Sequence, residues 1–249
     1  MDKQQKKQLL QAMEKAICEK SFYEFFIRAF EIAEPSVPIS VNFHHKYLCD
    51  ILQAEAERIK ENRAKDKDII INIPFRSSKS LLVTVLFPAW CWAVYPKMRF
   101  ITASYSADIS IEHATKSRDI INSEWYQKHW GETFQIKKDQ NLKARYENNY
   151  LGSRRATSVG GSVTGQGGDI ILVDDPTSPK NAASQIEREN ANEWYKSTLY
   201  SRLNNPTTGV RIIIMQRVHE DDLSGYLLFN SPDKHKHICI PAELSSDLK

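Results

Sequence analysis

Several kinds of feature are scarce or missing in this sequence of 249 residues, and most of these absences close off a class of function. Only four cysteines are present, Cys18, Cys49, Cys91 and Cys239, scattered singly without C-x-x-C or Cys/His ligand spacing. That pattern excludes a disulfide framework and a zinc site, and reduced structural thiols are expected. No apolar run approaches the length of a transmembrane helix, and Met-Asp-Lys-Gln-Gln-Lys-Lys at the start does not read as a signal peptide. A soluble, intracellular protein is therefore expected, with no membrane partner. Charge of one sign is also lacking: the net charge is only +3, too small to argue for nucleic-acid binding from global electrostatics. Glycine is scarce, nine in all, and five of the nine fall between residues 157 and 168. Internal repeats and low-complexity segments are missing as well.

What is present is ordinary globular composition, 41% hydrophobic and 26% charged, and a length that suits one large α/β domain. The chain is organised around Asp68-Ile-Ile-Ile-Asn-Ile-Pro-Phe-Arg-Ser-Ser-Lys-Ser80. The unbroken apolar run Ile69 to Ile73 suits a strand covered on both faces, as in a parallel sheet. Pro74 stops it, Ser77 and Ser78 keep the loop narrow, and Lys79-Ser80 open an apolar segment, Leu81 to Trp92, of helical length. Strand, tight loop and helix together make a phosphate cradle: backbone N–H groups and a helix N-terminus for the anion, a Lys for the terminal phosphates and a hydroxyl for Mg²⁺. Against G-x-x-x-x-G-K-[ST] the match is partial, since Ile73 and Ser78 stand where the glycines would. A plain βα turn with Ser as helix cap is the alternative.

The second site is Gly168-Asp-Ile-Ile-Leu-Val-Asp-Asp-Pro176, a buried-strand run ending in two adjacent carboxylates. Adjacent acids at a strand end are costly unless they hold a cation or move protons. In a phosphate-loop enzyme Asp174 would hold Mg²⁺ opposite Ser80, and Asp175 would orient or deprotonate the attacking water. A solvated Asp-Asp-Pro turn is the alternative for this stretch taken alone.

From the N-terminus onward, residues 3 to 33 carry an amphipathic pattern: Leu9, Met13 and Ile17, then Phe22, Phe25, Phe26, Ala29 and Phe30. It predicts one helix on the core, or two broken near Ser21, ended by Pro35 and Pro38. A further helix runs from Val41 through Lys60, and its Phe43, His44 and His45 could contact an adenine base or simply form its first turn. Arg99 to Ser106 reads as a buried strand and Ile109 to Ile121 as a polar helix. Arg145 to Arg154 reads as a hairpin turning at Asn148-Asn149. The Gly-rich stretch 157–168 is a loop near a ligand or a moving element. Ser184 to Leu203 is an amphipathic helix, 210–217 a buried strand ending in Gln216 and Arg217, and His237 to Pro241 a last short strand.

Five strand candidates, four of them ending in polar residues, place the chemistry at one C-terminal sheet edge. An extra strand between the phosphate-loop strand and the Asp-Asp strand would mark the additional-strand type of ATPase. The fold class expected is α/β, a P-loop NTPase with a mostly parallel sheet and helices on both faces. Residues 1–40 are expected as a helical segment packed on an ATPase domain of residues 41–249.

Pro74 to Ser80, Gly161 to Pro176, Met215 to Gly225 and Ile240-Pro-Ala-Glu243 occur in an order that resembles the ATPase domain of the large terminase subunit of tailed bacteriophages. The resemblance covers roughly residue 40 to the end. It implies ATP hydrolysis with Mg²⁺ that threads double-stranded viral DNA into a procapsid, in the host cytoplasm. It implies a homo-oligomeric ring on the portal, with portal protein and small terminase subunit as partners. Carried over by residue, Pro74, Phe75, Arg76, Ser77, Ser78, Lys79 and Ser80 would bind ATP, with Phe43-His44 on the adenine side. Ser80 and Asp174 would bind Mg²⁺. Asp175 would be the catalytic carboxylate, and Arg76 would contact the terminal phosphate or sense its hydrolysis. Gln216-Arg217 would form the coupling motif.

Three departures stand out. Ser78 replaces the usual Gly, Asp175 stands where many relatives carry Glu, and the Thr164-Gly-Gln166 position lacks an Arg frequent in relatives. A trans-acting arginine finger is then either absent there or supplied by Arg154 or Arg155, with Arg217 a lesser candidate, and an isolated domain would be mostly monomeric and slow. The nuclease domain that follows in the family has no counterpart after Pro241, so nuclease activity is expected to be missing. A helicase-like nucleic-acid-dependent ATPase and a non-hydrolysing nucleotide-binding assembly module are the alternatives.

Overall fold

The computed structural model describes residues 2–163 and 165–243. Three helices lead in: α1 (Lys3–Lys20), α2 (Phe22–Ala33) and α3 (Phe43–Lys60). Ser21 makes the break expected between the first two. Its extended backbone ends α1, and its side chain accepts from the Glu24 N–H to cap α2. Strand β1 (Asp68–Asn72) follows, then the phosphate-loop segment, a π-helical turn (Leu81–Leu86) and α4 (Phe87–Val94). Next come β2 (Arg99–Ser104), α5 (Ala107–Asn122), α6 (Glu124–Trp130), β3 (Ile136–Asn141), β4 (Arg145–Asn148) and β5 (Ser153–Ser158). The remainder is β6 (Ile170–Asp174), α7 (Gln185–Trp194), β7 (Val210–Met215), α8 (Leu223–Asn230) and β8 (His235–Cys239).

The strands form one sheet in the order β3-β4-β5-β2-β6-β7-β1-β8. From β5 to β8 every neighbour is parallel, and β3, β4 and β5 form an antiparallel meander at one edge. Alternate residues of the central strands enter different cores. Ile69, Ile71, Leu172, Ile212 and Ile214 pack with the helices α1 to α6, while Ile70, Ile171, Val173 and Ile213 pack with α7 and α8. Burial on both faces is why these strands read as unbroken apolar runs. β7 lies between β1 and β6, the insertion expected of the additional-strand arrangement.

Two expectations are corrected or sharpened, and one segment that the sequence leaves unassigned takes a definite form. Leu9, Met13 and Ile17 do not lie on the core: they are 50%, 52% and 41% exposed. The inner face of α1 is instead Gln11, Glu14, Lys15, Cys18 and Glu19. It serves three indoles, two buried and one half-buried, with Trp90 Nε1 donating to Cys18 O (2.8 Å), Trp125 Nε1 to Glu14 Oε1 (2.8 Å) and Trp130 Nε1 to Glu19 Oε1 (3.1 Å). The need to satisfy tryptophan N–H groups inside an aromatic cluster overrode the apolar pattern. The 145–154 hairpin is present, but its turn is longer than Asn148-Asn149: the Asn148 side chain accepts from the N–H groups of Tyr150 and Gly152, and Leu151 takes φ 66°. The segment after His219 forms a helix, α8, capped by Asp222.

Candidate nucleotide site

The chain leaves β1 through Ile73, whose N–H still bonds Met215 O (3.2 Å), and turns at Pro74. Arg76 and Ser78 both take left-handed backbone, φ 59° and 58°. Glycine would adopt this without strain, so the loop keeps the curvature of a phosphate cradle while lacking its usual residue. Ser77 Oγ donates to Pro74 O (2.7 Å) and steadies the bend.

Lys79 and Ser80 start the helix beyond the loop, and the ends of β6 and β7 bring the other groups to them. Lys79 is 7% exposed, with Nζ 2.7 Å from Asp175 Oδ2. Ser80 lies beside Asp174, and its side chain favours the charged form of that carboxyl. Asp174 is buried; its Oδ2 accepts from Thr84 Oγ1 (3.0 Å), with His113 Nδ1 3.6 Å away, and its Oδ1 has no hydrogen-bond partner among the described residues. Asp175 has φ 42°, and its Oδ1 accepts the Gln216 N–H at 3.0 Å.

Burial pushes the Asp174 carboxyl above the ordinary 3.8, against the side chain of Ser80, the charge of Lys79 and the hydrogen bond of Thr84. Asp175 is raised too, by burial first and then by Asp174, opposed by Lys79 and the Gln216 N–H. Two desolvated acids side by side, with one cation shared between them, favour proton acceptance at the member that faces outward.

These residues fit a hard cation. The donors at hand are carboxylate and hydroxyl oxygens, and the orphaned, buried Asp174 Oδ1 is the acceptor a hydrated Mg²⁺ would satisfy. Among the described residues no group of three or more His, Cys, Asp or Glu could hold a metal by themselves. A magnesium held by one or two protein oxygens and completed by phosphates suits that sparse set.

The residues expected on the adenine side also come together beside the loop. His44 Nε2 lies 3.2 Å from Ser77 O, and a hollow of about 570 Å³ is lined by Phe43, His44, Phe75 and Arg76 on one side and Ile240-Pro241 on the other. Phe43 and Phe75 are 55% and 65% exposed, unusual for such rings unless something covers them.

The side chains of the other expected residues do not join the acids. Gln216 reaches Asp175 through its backbone N–H. Arg217 turns away: Nε pairs with Asp222 Oδ2 (2.9 Å) and Nη2 donates to the carbonyls of His219 and Glu220. Arg76 stands exposed, its guanidinium 5.7 Å from the Phe75 ring. Arg154 is corrected as a finger candidate, because it is 1% exposed and donates inward to Thr84 O. Strand alternation puts its neighbour Arg155 on the other face, half-buried, with Nη2 donating to Ser162 O (3.3 Å). Thr164 of the Thr164-Gly-Gln166 position lies outside the described residues, as does 244–249 of the expected ATPase domain.

Sequence reasoning missed Thr84 and His113. Thr84 carried a usable signal, one helical turn past Ser80 and hence on the same face. His113 had none, since only the packing of α5 against the sheet brings it to Asp174.

No family model matches this chain, and no curated protein does. Among solved structures it is similar to the large terminase of bacteriophage HK97, at 12% identity and TM-score 0.55, over 91% of this chain and 45% of that one. It thus spans just under half the length of that relative. It is also similar to a mutant ATPase domain of the large terminase of Thermus phage P74-26 (10% identity, 85% and 84% of the two chains, TM-score 0.49). A third is the large terminase of a thermophilic bacteriophage in complex with ATP-gamma-S (12%, 79% and 46%, TM-score 0.45). The HK97 likeness shows the fold: α/β, with a mostly parallel sheet and helices on both faces.

Proposed function

We propose that this chain is the ATPase domain of a tailed-phage large terminase subunit, binding ATP with Mg²⁺ and hydrolysing it to move double-stranded viral DNA into a procapsid. The observation that carries the reading is the convergence of Lys79, Ser80, Asp174 and Asp175, from two strands separated by β7, on one sheet edge with Lys79 Nζ 2.7 Å from Asp175. Open α/β sheets bind ligands at that edge. The HK97 terminase fold supports the family reading.

Lys79 exchanges its bond to Asp175 for the terminal phosphates, freeing Asp175 Oδ2 to orient the attacking water and take its proton, while the Gln216 N–H keeps Oδ1 in place. Ser80 and Asp174 would hold Mg²⁺, which would neutralise charge on the phosphates. The loop N–H groups from Pro74 to Ser80 cradle phosphate, Arg76 covers the terminal one, and Phe43, His44 and Phe75 enclose the base. In the assembled motor the chain works as a homo-oligomeric ring on the portal with the small terminase subunit, in the host cytoplasm. Arg155 is the candidate finger toward a neighbour.

The test is ATP turnover with Mg²⁺, with and without double-stranded DNA, by wild type and Lys79→Ala. Loss of a phosphate-facing cation should lower turnover at least about a hundredfold with the fold intact. Near-normal turnover in Lys79→Ala would remove the phosphate-loop assignment. Tight nucleotide binding by wild type without any turnover would favour the non-hydrolysing module instead.

A further inference from the structure

Arg154 poses a problem of solvation. Its side chain is 1% exposed, its Nε and Nη1 have no hydrogen-bond partner among the described residues, and its near polar neighbours are Thr84 O and the Tyr146 hydroxyl. No carboxylate among the described residues forms an ion pair with it. A cation withdrawn from water without a counter-charge is expensive, and Met or Leu would fill the space at less cost. Core packing alone does not account for it.

Its one well-made bond is informative. Pro88 has no N–H to give the carbonyl four residues earlier, which is that of Thr84, and Arg154 Nη2 donates to this carbonyl at 2.5 Å. Thr84 lies in the π-helical turn, an uncommon conformation held here by bonds such as Phe87 N–H to Leu82 O. Its hydroxyl is within donor reach of Ser80 O (2.6 Å) and Asp174 Oδ2 (3.0 Å). Thr84 thus touches both members of the proposed metal pair, and Arg154 fixes Thr84. A slip of that turn by one residue would rotate the hydroxyl off the carboxylate, because successive helical residues point about 100° apart.

We propose that Arg154 is a positioning residue for the metal edge: from the core it clamps the π-helical turn so that Thr84 engages one oxygen of Asp174 and leaves the other free for the cation. The inference rests on the nucleotide-site reading above.

The experiment measures ATPγS affinity of the full chain without Mg²⁺ and across a Mg²⁺ titration. It compares wild type, Arg154→Met, Arg154→Lys, Thr84→Val and the double variant Arg154→Met/Thr84→Val, with the melting temperature of each. Mg²⁺-free affinity should stay near wild type, while the Mg²⁺ concentration at half-effect rises about tenfold in Arg154→Met and in Thr84→Val, the scale for an outer-shell partner of a metal ligand. Lys should restore part of it, and the double variant should be no worse than either single one, since both act on one chain of contacts. An unchanged Mg²⁺ half-effect in a folded Arg154→Met, or additive shifts in the double variant, would overturn the proposal. If Arg154→Met does not fold, Thr84→Val decides alone, as it leaves the buried cation in place; no shift there also overturns it. Wild type without Mg²⁺-dependent binding would bring down the nucleotide-site reading and this inference together.

Discussion

Asp174 and Asp175 are neighbours in sequence with different surroundings. Asp174 points into the helix that follows the phosphate loop and spends one oxygen on Thr84, whereas Asp175 takes left-handed backbone and turns to Lys79 and the Gln216 N–H. The pair was legible as two acids ending a buried strand. Gln216 was legible as a position only, because a backbone N–H carries no residue code. A second residue-scale consequence concerns His45, which is 4% exposed, stacked 5.3 Å from the Phe26 ring and lowered to about 4, by burial above all and then by His44. A histidine lowered in the folded state is neutral in both states above about 6.5; as pH falls from there toward about 4, only the unfolded chain gains the proton. Stability should therefore fall in that window, by about 2 kcal/mol at pH 4.5 from His45. Urea midpoints at pH 7 and pH 4.5 check it. His45→Gln should lose clearly less than wild type on acidification; an equal loss would assign the acid sensitivity elsewhere, with His113, lowered similarly by burial, as the next group to test.

Among the elements, the central strands were legible because burial on both faces leaves a run of Ile and Val that few other structures explain. The edge strands β3 and β4 were less so, since a polar meander shares its composition with loops. The N-terminal helices show the two outcomes side by side. In α2 the apolar stripe faces the core, with Phe22 packed 5.2 Å from Trp90 and 5.4 Å from Phe87. In α1 the comparable stripe faces out, because glutamates and a backbone carbonyl on the other side satisfy three indoles. Phe22→Ala should cost about 3–5 kcal/mol through the cavity it opens. Leu9→Ser should stay within about 0.5 kcal/mol as an exposed change. Chemical denaturation of both variants checks the assignment, and a costlier Leu9→Ser would contradict the outward orientation of α1.

At the scale of the whole molecule, the sheet order explains why distant stretches of sequence make one site. β1 delivers Lys79 and Ser80, β6 delivers the two acids, and β7 between them delivers the Gln216 N–H, so all three arrive at one edge. That convergence was legible as a pattern of polar strand ends, while Thr84, His113 and the buried Arg154 depend on packing between layers that no local spacing encodes. In a ring, a neighbour's arginine would complete the site, and such fingers contribute roughly 10³–10⁵ in rate. The isolated chain should therefore turn over slowly, and its central chemistry is best read where binding and hydrolysis separate. That measurement is Mg²⁺-ATP affinity beside single-turnover hydrolysis for wild type, Asp174→Asn and Asp175→Asn. The account predicts that Asp175→Asn binds Mg²⁺-ATP within a few-fold of wild type and loses hydrolysis by about a hundredfold or more, whereas Asp174→Asn loses the Mg²⁺-dependent part of binding. Hydrolysis by Asp175→Asn at the wild-type rate, or equal loss of binding in both variants, would contradict it.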